Sequence, residues 1–326
     1  MKKFELTSEF VTFLGKTLFR IKALVSFGDV AKGELGGFIE REDNLDQSGD
    51  AWVCGNAQVF GNARVYGNAR VCGDAWVYGD AKVFGNARVS GDAKVFGNAR
   101  VSGNAWVCGN ARVSGDAKVF GNAQVFGNAR VYGDAKVFGN ARVYGDAWVY
   151  GDAKVFGNAQ VYGDAKVFGN AQVYGDAQVC GDAWVCGNAR VYGDAKVFGN
   201  AQVYGNAQVY GDAQVFGNAQ VYGDAQVCGD AWVCGNARVY GDAKVFGNAW
   251  VQNCRDYSAT SCFGSKNRTT TFFRTKDGGI SVRCGCFYGT LREFREKVKE
   301  RHGDSRLAKE YLMLADLMEF RLSKDE

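Results

Sequence analysis

Between residues 49 and 252 the apolar and polar positions follow one six-residue phrase, Gly-(Asn/Asp)-Ala-x-Val-z. It recurs 34 times in 204 residues without an insertion or deletion. Ala and Val stand two positions apart, so in an extended segment they share one face, and x and z share the other. Ala and Val hardly vary, as an interior requires. The x position holds Lys, Arg, Gln or Trp, and z holds mostly Phe, Tyr, Cys or Ser. Gly-Asn and Gly-Asp tolerate the backbone of a sharp corner. A short fixed period predicts a solenoid whose units contact only their neighbours. Three strand-and-corner units close a triangular coil of 18 residues, and stacked coils pair as parallel strands roughly 4.8 Å apart, giving a stack about 54 Å long. The space inside one Ala and one Val per side is too narrow for rings, so the z aromatics are expected outside.

The flanks break this pattern. Residues 1–48 predict short strands at Phe4–Leu6, Thr17–Leu24 and Phe38–Glu40, read as an N-terminal cap. Residues 253–326 predict a hairpin of Thr269–Thr275 and Ile280–Phe287 around Lys276-Asp277-Gly278-Gly279. Thr290 and Glu293 form a capping-box pattern that opens a helix with Leu291, Phe294 and Val298 on one face, stopped by Gly303. Ser305 opens a second helix with Leu307, Tyr311, Leu314 and Met318 inward. The expected organisation is a cap (1–48), a repeat (49–252) and a ββαα module (253–326). Unpaired strand edges at the ends of the stack would invite polymerisation unless covered, which is the simplest role for both flanks.

The phrases resemble the hexapeptide repeats of the left-handed parallel β-helix superfamily, which includes bacterial acyltransferases and γ-class carbonic anhydrases. The Gly-Asn-Ala-x-Val-Tyr form, with the lead-in Phe27-Gly28-Asp29-Val30 through Gly36-Gly37-Phe38-Ile39, more closely resembles a group of uncharacterised bacterial and phage proteins often labelled transferases from the repeat alone. The resemblance implies an all-β solenoid with left-handed coils, to which the pattern of residues 253–326 adds a small C-terminal α+β appendage. The enzymes of the superfamily use a His general base or three zinc-binding His, and build clefts from loops that interrupt the coils. This repeat has neither His nor interrupting loop; His302, the sole His, sits at a predicted helix end where the dipole favours it. No catalytic residue, cofactor or metal is therefore expected.

Charge changes the picture little. The net charge is +4, from 39 basic and 35 acidic residues, with most of the excess in the C-terminal tail. A balance this small does not by itself imply nucleic acid or membrane. The N-terminus has no apolar h-region, and the apolar stretch near Leu18–Phe27 is broken by Arg20 and Lys22. A cytoplasmic protein without membrane contact is expected, with its eleven Cys as reduced thiols. Cys254, Cys262, Cys284 and Cys286 have irregular spacing for a zinc site. Cys54, Cys72, Cys108, Cys180 and Cys234 share one column, with Cys54 and Cys72 on adjacent coils within disulfide reach.

Sorting x by column gives one asymmetry. Arg64, Lys82, Arg100, Lys118, Lys136 and Lys154 follow one another at intervals of 18, a stripe on the order of 24 Å long that a polyanion could track. Against this, every repeat Lys follows an Asp two positions earlier, so local pairing would neutralise part of the stripe. The z position offers a second column, Phe120, Phe138, Phe156, Tyr174, Tyr192 and Tyr210, which either stabilises the sheet or forms an association surface. The run from Gly181 returns from Gly229, 48 residues later and on another face, which argues against a finely placed site on the repeat. The function expected from sequence is a non-enzymatic scaffold with a protein partner or self-association. The alternatives are an acyltransferase-like enzyme with its site near the C-terminal junction, and a polyanion or nucleic-acid binder.

Overall fold

The computed structural model describes residues 2–323, and the chain forms two compact units, residues 1–170 and 171–326. Each of the 34 phrases yields one two-residue strand made of x and Val.

In the first unit Phe4–Phe13 and Lys16–Ala23 form an antiparallel hairpin, and Leu35–Ile39 pairs beside the second strand. Leu35–Ile39 then pairs in parallel with the repeat, Phe38 opposite Gln58 and Ile39 opposite Val59. The first strand runs past the expected Leu6 to Phe13. Its Thr7-Ser8-Glu9 tract breaks the alternation and lies at a register shift between Leu6 and Phe10. Phe4, Leu18, Ile21, Ile39 and Leu45 are buried under this cap together with Trp52. Trp52 occupies an x position, outward in later coils but here covered by Phe4 and Phe27, whose rings meet it edge-on at 6.4 and 5.4 Å.

The coils of this unit repeat every 18 residues in register: Arg100 pairs with Lys118, Lys118 with Lys136, Lys136 with Lys154. Amides donate to carbonyls of the following coil, as in Lys118 N to Ala135 O and Phe120 N to Val137 O at 2.9 and 3.0 Å. Every repeat Ala and Val is fully buried. Gly103 shows why the corner residue is glycine. Its φ is 68°, and a β-carbon there would stand 2.9 Å from the Gly121 amide nitrogen of the next coil. Both the left-handed backbone and the close approach exclude a side chain.

Within the second unit, coils from Gln172–Val173 to Trp250–Val251 pair in register every 18 residues. The C-terminal module has four antiparallel strands rather than the two expected: Tyr257–Phe263, Arg268–Arg274, Ile280–Cys284 and Phe287–Thr290. Gly285, at φ 59°, turns the chain inside the stretch read from sequence as one strand. Two helices follow, α1 (Leu291–His302) and α2 (Arg306–Leu322). The Thr290–Glu293 capping box forms, Gly303 ends α1, and Ser305 caps α2. Leu291, Phe294 and Val298 are buried as expected. Leu307 is only half buried; Ala308 and Ala315 fill the face beside Tyr311, Leu314 and Met318.

The module covers the last coils. Thr271 Oγ1 accepts from Lys244 N at 3.0 Å, and Lys276 N donates to Asn248 O at 3.0 Å. The buried Asp256 carboxylate accepts from Gln252 N and Asn253 N at 2.8 and 2.9 Å and from Arg274 Nη1 at 3.1 Å. Arg274 also donates to the carbonyls of Leu322 and Ser323, tying the end of α2 to the sheet.

Candidate functional site

The module holds a cavity of about 290 Å³ between the Phe263–Arg268 turn, the Cys284–Phe287 turn, α1 and α2. Its floor is apolar: Phe263, Phe287, Phe294, Val298 and Tyr311. The rings lock edge to face, Phe294 against Tyr311 at 5.8 Å and Phe263 against Tyr311 at 5.6 Å. The buried Tyr311 hydroxyl accepts from Ser265 N at 3.2 Å, fixing the turn over the cavity mouth. That turn is built from left-handed backbone at Cys262 and Asn267, φ 55° and 47°, and at Gly264.

The rim is cationic. Lys266 and Arg268 stand on the turn, Lys297, Arg301 and His302 on the last turns of α1, and no carboxylate lines the cavity. Lys297 is held by Glu300 at 2.8 Å. The described ion pairs give Lys266, Arg268 and Arg301 no carboxylate within 4 Å. Gly285 leaves room for Arg268; a β-carbon there would stand 3.3 Å from Nη1. His302 lies against the Tyr311 ring, centroids 5.7 Å apart. Sequence reasoning placed His302 at a helix end, which is correct, but missed that this end faces a cavity. The usable signal was the clustering of Lys297, Arg301 and His302 within one helix face.

The basic column forms as the spacing implies. Arg64, Lys82, Arg100, Lys118, Lys136 and Lys154 stand on one sheet in register. The expected local pairing does not form: the described ion pairs include none joining Lys118, Lys136 or Lys154 to the Asp two positions earlier. The Asp stands on the corner, outside the two-residue strand that carries the Lys. Beside this column Phe120, Phe138 and Phe156 stack face to face, centroids 4.9 Å apart and planes within 1°. In the second unit Tyr174, Tyr192 and Tyr210 stack likewise. Phe138 and Tyr192 thus have both ring faces covered by neighbouring rings and offer no open stacking face to a base. At Trp76, Trp106 and Trp148 a cation of an adjoining coil lies over the x-position ring, as Lys94 over Trp76 at 3.8 Å.

Two further cavities touch the repeat. One of about 370 Å³ lies where the 42–47 segment meets Arg64 and Lys82, and one of about 390 Å³ lies among Tyr240, Tyr257 and Arg321. The expectation of reduced thiols fails at Cys54 and Cys72, which are bonded to each other across adjacent coils, Cα atoms 4.6 Å apart. Burial pushes the Cys108, Cys186, Cys228 and Cys234 thiols up, away from the thiolate. Cys284 and Cys286 line the cationic cavity, and among the described residues no three His, Cys, Asp or Glu side chains converge as metal ligands.

The repeat resembles the YdcK Beta solenoid repeat. The matched stretches are residues 57–73, 63–79, 93–109, 123–137, 135–151, 159–175, 201–217, 207–223 and 213–229, all inside the repeat. None of the curated proteins matches the chain in sequence. Among solved structures, LpxA from Acinetobacter baumannii is 11% identical over 51% of this chain and 71% of its own, with a TM-score of 0.39. The Arabidopsis UDP-N-acetylglucosamine acyltransferase is 13% identical over 53% and 69%, with a TM-score of 0.30. That of Francisella novicida is 12% identical over 75% and 86%, with a TM-score of 0.27. Likeness at this level transfers no chemistry to this chain.

Proposed function

We propose that the protein is a non-enzymatic scaffold, a parallel β-helix that presents its C-terminal module to a protein partner. The observation that supports this most directly is an apolar stripe on α2. Met313, Leu317 and Phe320 are spaced along one face of the helix and are 64%, 56% and 84% exposed. Apolar side chains held in water in such a row mark an association surface. The stripe stands on a firm mount, because α2 is tied through Arg274 to the sheet that covers the last coils. Nothing in the repeat is poised for acyl transfer: it has no His, and burial holds several of its thiols protonated.

Replacing Phe320 with a photo-crosslinking benzoylphenylalanine in the full chain tests this. Irradiation in cells should give a discrete protein adduct, either a second copy or another chain, and the same probe at Lys118 should not. No adduct, together with saturable acetyl-coenzyme A binding and turnover, would replace the scaffold with an enzyme.

A second reading is favoured by the unpaired basic column. In it the six stacked cations track the backbone of a polyanion.

A further inference from the structure

We propose that the cavity between α1 and the 262–267 turn is a binding site for a small organic anion, with a phosphate or carboxylate head and one aromatic or branched apolar body. The inference goes beyond the scaffold reading, since binding to the module can be measured whatever the repeat does.

Three features converge on this ligand class. The volume of about 290 Å³ falls at the small end of ordinary ligand cavities. The floor of interlocked Phe and Tyr rings offers an apolar bed of fixed shape, so little side-chain order is lost when a ring enters. Around it stand Lys266, Arg268 and Arg301 with no acidic partner, in a cavity with no acidic lining at all. Like charges gathered without counter-charge repel one another, and an incoming anion relieves that repulsion while accepting charge-assisted hydrogen bonds. A cation cluster over bare water would suit any anion; a cation rim over aromatic rings selects one that carries apolar surface. The size excludes a polymer from the floor, so a nucleic acid or an acidic protein segment would engage the rim alone.

The test is calorimetric titration of the full chain with 1-naphthyl phosphate, 1-naphthoate, 1-naphthol and inorganic phosphate. Naphthyl phosphate or naphthoate should bind at one site with a Kd on the order of 100 µM. The stronger of the two identifies the head group. Naphthol and inorganic phosphate should each bind at least about tenfold more weakly, since each lacks one half of the recognition. The double variant Arg268→Gln/Arg301→Gln alters exposed side chains only, so its near-UV spectrum should match wild type while affinity falls at least about tenfold. Lys118→Gln/Lys136→Gln/Lys154→Gln should bind normally. The proposal is overturned if no naphthyl anion binds at millimolar concentration, or if affinity follows the Lys118 column instead of Arg268 and Arg301. It is also overturned if an oligonucleotide or acidic peptide occupies the rim more tightly than either naphthyl anion.

Discussion

Lys3 joins the cap to the first coil. Its ammonium is buried and donates to the carbonyls of Ser48, Gly49 and Ala51 at 3.4, 3.3 and 2.9 Å, groups with no preceding coil to bond them. After the last phrase the chemistry is reversed, and the Asp256 carboxylate receives the free amides of Gln252 and Asn253. Burial lowers the Lys3 pKa to about 8, with Asp46 and Asp50 partly opposing the fall. Between that value and its ordinary 10.5 the unfolded chain binds more protons than the folded one, so stability rises with pH across this window. Below pH 8 the folded state bears the full charging cost, up to about 3 kcal/mol. Lys3→Met removes both the donors and the titration. Wild type should therefore gain on the variant when denaturant midpoints are compared at pH 7 and pH 10, and a constant gap would refute the assignment. In the sequence Lys3 was an ordinary terminal charge, because no local pattern shows which carbonyls a distant coil leaves unpaired.

At the scale of elements, legibility followed periodicity. The coils were readable because Ala and Val recur without error, and α1 because Thr290 and Glu293 sit three apart before an apolar face. The sheet of the module was not. Tyr257–Phe263 is a partly exposed edge strand whose Ser258, Thr260 and Ser261 blur the alternation. Gly285 divides a stretch that reads as one strand. The cationic cavity was hidden for the same reason: Phe263 and Phe287 look like sheet residues and Arg301 like a helix end until the turns fold over α1. The basic column, by contrast, was fully visible, because its cations recur at intervals of 18. Lys118→Gln/Lys136→Gln/Lys154→Gln should elute from a heparin column at lower salt than wild type, with a salt slope shallower by up to about 3. Unchanged elution would leave the column as a solvated ladder.

For the whole molecule, repetition makes stability close to a sum over neighbouring coils. Deleting residues 127–144 removes one complete coil, and Val125 then meets Val161 in the register it had with Val143. The shortened chain should keep its circular dichroism per residue and unfold cooperatively with Tm lowered by about 5 °C or less. Deleting residues 127–135 instead leaves half a coil with its corners opposite strands, and should lose the cooperative transition. The corners also bear a one-way chain of amides: Asn68, Asn86, Asn104, Asn122 and Asn140 each give an Nδ2 hydrogen to the Oδ1 of the next coil at 3.0–3.1 Å. An amide can both receive and pass on such a bond, but a carboxylate can only receive. Deamidation at Asn104 would therefore keep the bond from Asn86, cut the one to Asn122, and set a negative charge beside an amide oxygen. Each corner amide hydrolysed in this way would break this chain of amides at one further link.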